Sequence, residues 1–179
     1  MKKIKFLPLR ISVLVVSDTR TTKTDTSGKI LVERLTKAGH LLAEKCIVPD
    51  DVYQIRSVLS RWIADPTVEI VITSGGTGLT GRDSTPEAAS ALFDKEIEGF
   101  GELFRSVSYE EIATSTIQSR VTAGVANGTY IFCLPGSPSA CRDGWDQILM
   151  HQLDIRHKPC NFVEIMPRLQ EHKSSRKKN

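Results

Sequence analysis

The sequence of 179 residues lacks several features, and each absence narrows the class of protein. No apolar run approaches the ~18 residues needed to span a bilayer, and the N-terminus has no apolar signal-peptide core. The four cysteines form no C-x-x-C pair and have no histidine at metal-ligand spacing. Cys46 and Cys133 lie in apolar, strand-like runs, where free thiols fit a reducing compartment. We therefore expect a cytoplasmic protein with no membrane partner.

An excess of charge of one sign is also lacking. The chain has 24 basic and 21 acidic residues, for a net charge of +3, and the basic residues gather at its two ends, "MKKIK" and "HKSSRKKN". A nucleic-acid-binding arm is one interpretation of such ends, but solvated tails are the simpler one. We expect no nucleic-acid partner.

Strand-like runs and helical spacings alternate in the first half of the chain. Continuous apolar runs predict buried strands over residues 11–17, 41–49 and 68–73. Apolar residues at helical spacing predict helices over residues 29–38 and 50–65. This alternation favours parallel strands joined by right-handed crossovers.

The second half of the chain adds helices and a hairpin. Ser84 and Glu87 have the spacing of a capping box, which predicts a helix over residues 84–94, and residues 98–112 suggest two short helices. Asn127-Gly128 between two apolar runs predicts a hairpin, and residues 138–153 predict a closing helix. Together these elements predict an α/β fold, a three-layer α/β/α sandwich whose mostly parallel sheet contains one antiparallel strand.

The stretch "TSGGTGLTGRDSTPEA", residues 73–88, is the most informative in the chain. Its glycines follow a predicted strand and precede a predicted helix, which is typical of a loop whose bare backbone N–H groups bind a phosphate. Gly76 and Gly81 have the spacing of a nucleotide-binding P-loop, but Arg82 and Asp83 stand where that motif needs Lys and Ser or Thr. A standard P-loop is therefore excluded.

Three loops should meet at the carboxyl edge of the sheet, where open α/β sheets bind ligands. They span residues 17–28, 73–83 and 134–139. Taken alone, "LPGSPSA" is typical of an ordinary strand-to-helix turn, with Ser137 and Ser139 as candidate helix caps. "DTSG" alone is typical of an N-cap. The helices that begin after Asp83 and after Ser137 should both point their N-termini at this crevice, and two positive helix ends favour an anionic ligand with more than one charged group.

Asp83 and Asp50 are the candidate acidic residues of this site. A carboxylate beside phosphates is useful when a divalent cation lies between them, and Mg²⁺ takes one or two carboxylates together with phosphate oxygens and water. Such a pair would suit phosphoryl or nucleotidyl transfer. Each aspartate could instead cap a helix, and the sequence leaves both interpretations open.

Four segments of the chain together resemble one known family. These segments are "TSGGTGLTGRDSTPEA", "EGFGELFRSVSYEEIATSTIQSR", "ANGTYIFCLPGSPSACRDGWDQIL" and "PCNF". In this order they are similar to the MoaB/MogA family of molybdenum cofactor biosynthesis proteins, with the second half closest to MoaB. The resemblance implies a domain over residues 10–165, between an N-terminal extension (1–9) and a basic, flexible C-terminal tail (166–179).

The resemblance also implies a function. Catalytic members of the family use Mg²⁺, with ATP as co-substrate, to transfer AMP to the terminal phosphate of molybdopterin. The products are adenylyl-molybdopterin and pyrophosphate. The resemblance implies a homotrimer or homohexamer and contact with the metal-insertion protein of the same pathway. A molybdopterin carrier without catalytic activity is the alternative, and a generic nucleotide-binding regulator is a third. Because some members of the MoaB branch lack the two acidic residues, their presence here favours activity.

The family's site residues map onto this chain as follows. The catalytic and metal-binding positions are Asp50 and Asp83. The molybdopterin-binding positions are Thr73, Ser74, Gly75, Gly76, Thr77, Gly78, Ser119, Arg120, Pro135, Gly136, Ser137 and Pro138. The nucleotide-binding positions are Ser17, Asp18, Ser27 and Gly28.

Overall fold

A computed structural model of the chain describes residues 4–174, and its centre is a single six-stranded sheet. The strands lie in the order β2-β1-β3-β6-β5-β4. Their bounds are β1 Arg10–Val16, β2 Leu41–Val48, β3 Ile70–Ser74, β4 Lys95–Glu96, β5 Thr122–Ala126 and β6 Thr129–Leu134.

The sheet is mixed. β2, β1, β3 and β6 pair in parallel, whereas β5 pairs antiparallel with both β6 and β4. Only β5 therefore runs against the other described strands, and the predicted sheet is confirmed. The sequence did not predict β4, because two exposed polar residues carry no strand periodicity.

Helices cover both faces of the sheet. They are α1 Ser27–Lys37, α2 Val52–Ala64, α3 Thr85–Ser90, α4 Glu98–Ile112, α5 Pro138–Asp143, α6 Met150–Gln152, α7 Phe162–Ile165 and α8 Glu171–Ser174. A π-helical turn, Gly144–Leu149, joins α5 to α6, and 3₁₀ turns cover Ala113–Gln118 and Met166–Arg168. Between residues 4 and 174, no helix is long and apolar enough to cross a membrane.

The strand alternation of β1 separates two hydrophobic cores. Ile11, Val13 and Val15 pack into the core that α1, α4 and α5 cover, whereas Leu14 and Val16 pack into the core under α2 and α3. This alternation follows from the pleat, which points successive side chains to opposite faces. The three predicted layers are confirmed.

Two helix predictions need correction. Residues 98–112 form one continuous helix, α4, because Phe100 and Phe104 lie one turn apart and are both buried against the sheet. That burial outweighs the poor helix propensity of Gly99 and Gly101, which fall in the first turn. The helix predicted over residues 84–94 ends at Ser90 instead, and the chain then turns into β4.

The predicted hairpin is present and has the expected turn. Asn127 and Gly128 adopt φ angles of 49° and 87°, and both values are positive, as a type I′ turn requires. Gln170 Nε2 donates a hydrogen bond to the Asn127 carbonyl, and Lys173 Nζ donates to the Asn127 side chain. Residues 166–168 and 171–174 are helical, and Gln170 and Lys173 contact the hairpin. The boundary of the tail at residue 166 stays a prediction. Residues 1–3 and 175–179 of the predicted extension and tail lie outside the described residues.

Candidate functional site

An open cleft of about 440 Å³ lies at the carboxyl ends of β1, β3 and β6. These three strands are neighbours and parallel, so the loops that follow them meet at one edge, as predicted. The residues that line the cleft are Val16, Ser17, Asp18, Asp50, Gly75, Gly76, Thr77, Gly78, Arg82, Asp83, Gln118, Ser119, Pro135 and Gly136.

The glycine loop after β3 has a backbone that only glycine adopts readily. Gly75 and Gly76 have φ angles of 108° and 66°, and a Cβ atom on Gly75 would lie within 3.0 Å of the Val16 carbonyl oxygen. Thr85 holds this shape, since its amide donates to the Gly76 carbonyl at 3.0 Å and its hydroxyl to the Gly75 carbonyl at 2.8 Å. The loop therefore presents bare backbone to the cleft.

The loop after β6 packs directly against the glycine loop. The Gly75 amide donates to the Leu134 carbonyl at 3.0 Å, and a Cβ atom on Gly136 would lie 3.2 Å from the Gly75 Cα. Ser27 Oγ donates to the Gly136 carbonyl at 2.6 Å, which ties the start of α1 to this loop. Ser137 Oγ accepts from the Ala140 amide at 3.2 Å, and this confirms Ser137 as the predicted helix cap.

Asp50 enters the cleft from the loop after β2. Asp51, not Asp50, caps α2, since its Oδ1 accepts from the amides of Tyr53 and Gln54. Asp50 is only 9% exposed, and its Oδ1 accepts from the Ser84 amide at 3.0 Å and the Ser84 hydroxyl at 2.7 Å. The α2-cap interpretation of Asp50 is therefore wrong.

The second oxygen of Asp50 faces the glycine loop. A Cβ atom built on Gly76 would lie 2.7 Å from Asp50 Oδ2. Within residues 4–174, this oxygen accepts no hydrogen bond. Asp50 thus offers one engaged oxygen and one open acceptor beside a bare stretch of backbone.

Asp83 lies on the other side of the same loop. Its Oδ2 accepts from the Thr80 amide at 2.8 Å and the Thr80 hydroxyl at 2.6 Å, and these bonds hold the pKa of Asp83 below its usual value. A Cβ atom on Gly78 would lie 2.7 Å from Asp83 Oδ2. The carboxylate is therefore charged at neutral pH. It adjoins the loop backbone at Gly78, whereas Asp50 adjoins it at Gly76.

The predicted capping box at α3 is absent. Ser84 occupies the N-cap position, but its side chain makes no capping hydrogen bond and donates to Asp50 instead. Glu87 forms an ion pair with Arg120. Both side chains thus serve long-range contacts, which spacing along the sequence does not reveal. Because Ser84 is the N-cap, the interpretation of Asp83 as the cap of this helix is also wrong.

An ion pair crosses the mouth of the cleft. Arg82 Nη2 and Nε donate to the two carboxylate oxygens of Asp18 at 2.7 and 3.0 Å. The Asp50 amide also donates to Asp18 Oδ1 at 3.0 Å, and the bonds from Arg82 and Asp50 lower the pKa of Asp18. The sequence analysis missed Arg82, although its position next to Asp83 in the glycine loop was a signal.

Several of the predicted site residues support the cleft rather than line it. Thr73 and Ser74 are buried in β3, and Ser74 Oγ lies 3.3 Å from Cys141 Sγ under the loops. Gly28 is also buried, and a Cβ atom there would meet Asp25 and Val15. Ser27, Ser137 and Pro138 likewise lie outside the residues that line the cleft.

Arg120 braces the glycine loop from behind. Its Nε donates to the Gly78 carbonyl at 2.7 Å, its Nη2 donates to the Asp83 carbonyl at 3.1 Å, and its Nη1 pairs with Glu87. Its amide also donates to the Thr77 carbonyl at 3.1 Å. In this arrangement the guanidinium fixes both ends of the loop, and contact with a phosphate stays a prediction.

A second cavity, of about 540 Å³, adjoins the cleft. Ser17 and Asp18 belong to both, and the remaining wall comes from the loop after β1 and from β2. Lys45 in this wall pairs with Asp25, which is only 1% exposed. The two cavities together form one long site with Asp18 at the junction.

The donor set of the cleft fits a magnesium ion. In the part of the chain that the structure describes, no group of three or more His, Cys, Asp and Glu residues forms a complete metal site. Asp50 and Asp83 are hard oxygen donors beside the glycine loop. Such a pair leaves the other coordination positions to phosphate oxygens and water, as Mg²⁺ prefers.

The fold and the cleft define an α/β protein with an open site at the carboxyl edge of its sheet, where folds of this class bind small molecules. Residues 12–155 match the family model described as "Probable molybdopterin binding domain". The chain belongs to this family, the MoaB/MogA family of molybdenum cofactor biosynthesis proteins. The resemblance drawn from the four sequence segments is confirmed.

Curated relatives and solved structures agree with this placement. The chain is 52% identical over 158 residues to "Molybdenum cofactor biosynthesis protein B" of Escherichia coli (strain K12), which covers 88% of this chain and 93% of that one. The protein of the same name from Bacillus cereus is 43% identical over 146 residues, 81% of this chain and 86% of that one. The "Crystal structure of Molybdenum cofactor biosynthesis protein B" superposes with a TM-score of 0.83 at 39% identity, over 92% and 98% of the two chains.

Proposed function

We propose that this protein adenylylates molybdopterin, with ATP as co-substrate. An oxygen of the terminal phosphate of molybdopterin attacks the α-phosphorus of ATP, and the bond between the α-phosphorus and the bridging oxygen breaks. The products are adenylyl-molybdopterin and pyrophosphate. This reaction forms one phosphoanhydride bond and breaks another, so positioning and charge neutralisation are the main demands on the protein.

One observation carries the proposal: Asp50 and Asp83 adjoin the same glycine loop, at Gly76 and Gly78. A loop that only bound an anion would gain nothing from two nearby carboxylates, because they repel a phosphate. With a cation between carboxylates and phosphates, the same arrangement becomes favourable. Mg²⁺ bound there would neutralise the charge of the phosphates and align the attacking oxygen.

The remaining residues have roles that follow from their positions. The backbone of residues 76–78 and of Gly136 presents N–H groups for the phosphate of molybdopterin, and Ser119 lines the same wall. Ser17 and Asp18 join the cleft to the second cavity, and this position supports their assignment to nucleotide binding. Ser27, Gly28, Thr73, Ser74, Ser137, Pro138 and Arg120 keep the loops in position from outside the cleft.

The family also motivates proposals beyond a single chain. We expect a homotrimer or homohexamer in the cytoplasm and a contact with the metal-insertion protein that receives the product. Size-exclusion chromatography with light scattering would test the first expectation, and a monomer at micromolar concentration would contradict it.

The test of the proposed function is release of pyrophosphate from ATP and Mg²⁺, with and without molybdopterin. Release should require molybdopterin and should disappear in Asp83→Asn, which removes a charged metal ligand without a change in volume. Asp51→Asn is a matched control, because Asp51 caps α2 and asparagine is an equally good cap. Full turnover in Asp83→Asn would contradict the assignment.

A molybdopterin carrier is the second candidate, and one contact favours it. Asp83 Oδ2 is held by the amide and hydroxyl of Thr80, a structural role that an inactive carrier would also need. Tight binding of molybdopterin without release of pyrophosphate would establish the carrier and leave both aspartates as loop supports.

A further inference from the structure

Only one of the charged side chains that line the cleft is positive. Asp18, Asp50 and Asp83 are carboxylates, and Arg82 is the single cation among the described residues of the lining. A ligand with several phosphates therefore meets more negative than positive charge here. Arg82 is the side chain best placed to offset that charge.

Two of the nearby cations outside the lining are already committed. A third, Arg20, lines the second cavity rather than the cleft and donates to the Thr24 carbonyl at 3.3 Å. Arg120 is bound to the carbonyls of Gly78 and Asp83 and to Glu87, with 29% of its side chain exposed. Lys45 in the second cavity pairs with the buried carboxylate of Asp25. Moving either cation would leave buried polar groups without a partner, which is unfavourable.

Arg82 is held much more loosely. Its side chain is 65% exposed and, among the residues that the structure describes, pairs only with Asp18, whose side chain is 39% exposed. Exposed ion pairs contribute little to stability, so water can replace this one at small cost. When Arg82 leaves, Asp18 still accepts a hydrogen bond from the Asp50 amide at 3.0 Å and therefore stays in place.

We propose that Arg82 is a phosphate-binding residue of this site, and that Asp18 holds it across the mouth of the cleft until a polyphosphate takes its place. The fork of the guanidinium, now on two carboxylate oxygens, would pair in the same bidentate way with two phosphate oxygens. The inference rests on the proposed function only in that a phosphate chain enters the cleft, and it concerns binding rather than transfer.

The exchange predicts effects of opposite sign at the two residues. Arg82→Gln removes the cation and should weaken phosphate binding. Asp18→Asn removes the competitor of the phosphate and should tighten it. If the ion pair merely ordered the loops, both variants should weaken binding to a similar extent.

The experiment is a double-mutant cycle on binding of inorganic pyrophosphate, measured by calorimetry on the intact protein at an ionic strength of about 0.15 M. EDTA is present, so that no cation bridges Asp18 to the ligand. Pyrophosphate carries no nucleoside, so any contact of Asp18 with a nucleoside is also removed. The proteins are wild type, Arg82→Gln, Asp18→Asn, the double variant, and the control Arg61→Gln.

Arg61 is a matched control. It forms a bidentate pair with Glu44 at 2.7 Å, with side chains 56% and 39% exposed, away from the cleft. It therefore has the same charge and a similar exposure but no phosphate to meet. Arg61→Gln should change the pyrophosphate Kd by less than about twofold, since long-range charge effects are screened.

We expect Arg82→Gln to raise the pyrophosphate Kd at least about tenfold and Asp18→Asn to lower it about three- to fivefold, with the second effect lost in the double variant. Any of three results would overturn the inference. The Kd could be unchanged in Arg82→Gln, or the wild type could fail to bind pyrophosphate. Asp18→Asn could also lower the Kd equally whether Arg82 is present or replaced. If the protein gives any of these results but still transfers AMP to molybdopterin, the proposed function stands and only the inference about Arg82 fails. If the cycle gives the expected result but the protein transfers no AMP, Arg82 stands as a phosphate-binding residue and the proposed adenylylation fails.

Discussion

Ser84 Oγ lies 2.7 Å from Asp50 Oδ1 and donates a hydrogen bond to it. This contact joins the loop after β2 to the residue that directly follows Asp83. It engages Oδ1 of Asp50 and leaves Oδ2, which lies beside Gly76, as the open acceptor. Ser84 is thus a positioning residue for one of the two candidate metal ligands.

Removal of that hydroxyl should lower turnover without a loss of fold. Ser84→Ala leaves the Ser84 amide bond to Asp50 but frees the carboxylate to rotate, and we expect kcat to fall about tenfold, equal to about 1.4 kcal/mol. Ser84→Thr keeps a hydroxyl and should stay within about twofold of wild type. An unchanged kcat in Ser84→Ala, measured as molybdopterin-dependent release of pyrophosphate, would contradict this role.

Asp50→Asn should lower turnover while it leaves the free energy of unfolding nearly unchanged. Asparagine keeps an oxygen that accepts the two Ser84 bonds, so the free energy of unfolding should change by less than about 1 kcal/mol. The negative charge beside the glycine loop is lost, and turnover should fall at least about a hundredfold. Urea unfolding of Asp50→Asn and Asp51→Asn next to their activities provides the comparison, and near-wild-type turnover in Asp50→Asn would count against a metal ligand there.

Two glycines of the loop should respond very differently to alanine. In Gly75→Ala, alanine would have to adopt a φ of 108° with its Cβ close to the Val16 carbonyl. We expect the free energy of unfolding to fall by about 2 kcal/mol or more. Gly81→Ala meets no atom within 4 Å and should be neutral or slightly stabilising. Equal midpoints of denaturation for both variants would show that the loop relaxes freely.

Gly76→Val should weaken molybdopterin binding because it blocks approach to the backbone. Its Cβ would also press on Asp50 Oδ2 and Thr85 Oγ1, so a change of fold must be measured beside binding. Ser74→Arg is unsuitable for the same purpose, since Ser74 is 1% exposed and its replacement disrupts the core. A Gly76→Val protein that melts like wild type and binds molybdopterin equally well would place the phosphate elsewhere.

Arg120 should contribute more to the free energy of unfolding through its bonds to the glycine loop than through its ion pair with Glu87. Arg120→Gln removes the bonds to the Gly78 and Asp83 carbonyls, and we expect about 2 kcal/mol of destabilisation. Glu87→Gln removes only the partly exposed ion pair and should cost less than about 1 kcal/mol. Equal losses in the two variants, by chemical denaturation, would assign the contribution to the ion pair instead.

His40 should make the protein less stable in acid. It is 3% exposed, its Nδ1 accepts from the Leu9 amide at 3.2 Å, and burial lowers its pKa to about 4. Since the folded pKa lies below the unfolded value of about 6.5, the stabilisation is complete above pH 6.5 and is lost as the pH falls toward 4. The size of this loss is at most about 3 kcal/mol.

The pH dependence can be assigned to His40 with two variants. His40→Gln should show a smaller loss of unfolding free energy between pH 7 and pH 4.5 than wild type. His151→Gln alters an exposed histidine and should keep the wild-type slope. Identical slopes in all three proteins would remove His40 as the cause.

The sequence by itself determined the layers, the reversed strand and the place of the site. Asn127-Gly128 specifies its turn locally, because positive φ angles are cheap for these residue types. The glycines after β3 predict a bare loop for the same reason. Parallel pairing then brings the loops after β1, β3 and β6 to one edge.

Only the tertiary structure decided which side chains meet in the cleft. Asp50 and Ser84 are 34 residues apart, and Asp18 and Arg82 are 64 apart. The second pair joins the loops after the neighbouring strands β1 and β3, whereas the first joins the loops after β2 and β3, which lie on either side of β1. The sequence spacing pointed instead to local partners, such as a capping box at Ser84 and Glu87. Local backbone preferences are encoded in a few neighbouring residues, whereas contacts between loops depend on the register and twist of the strands that carry them.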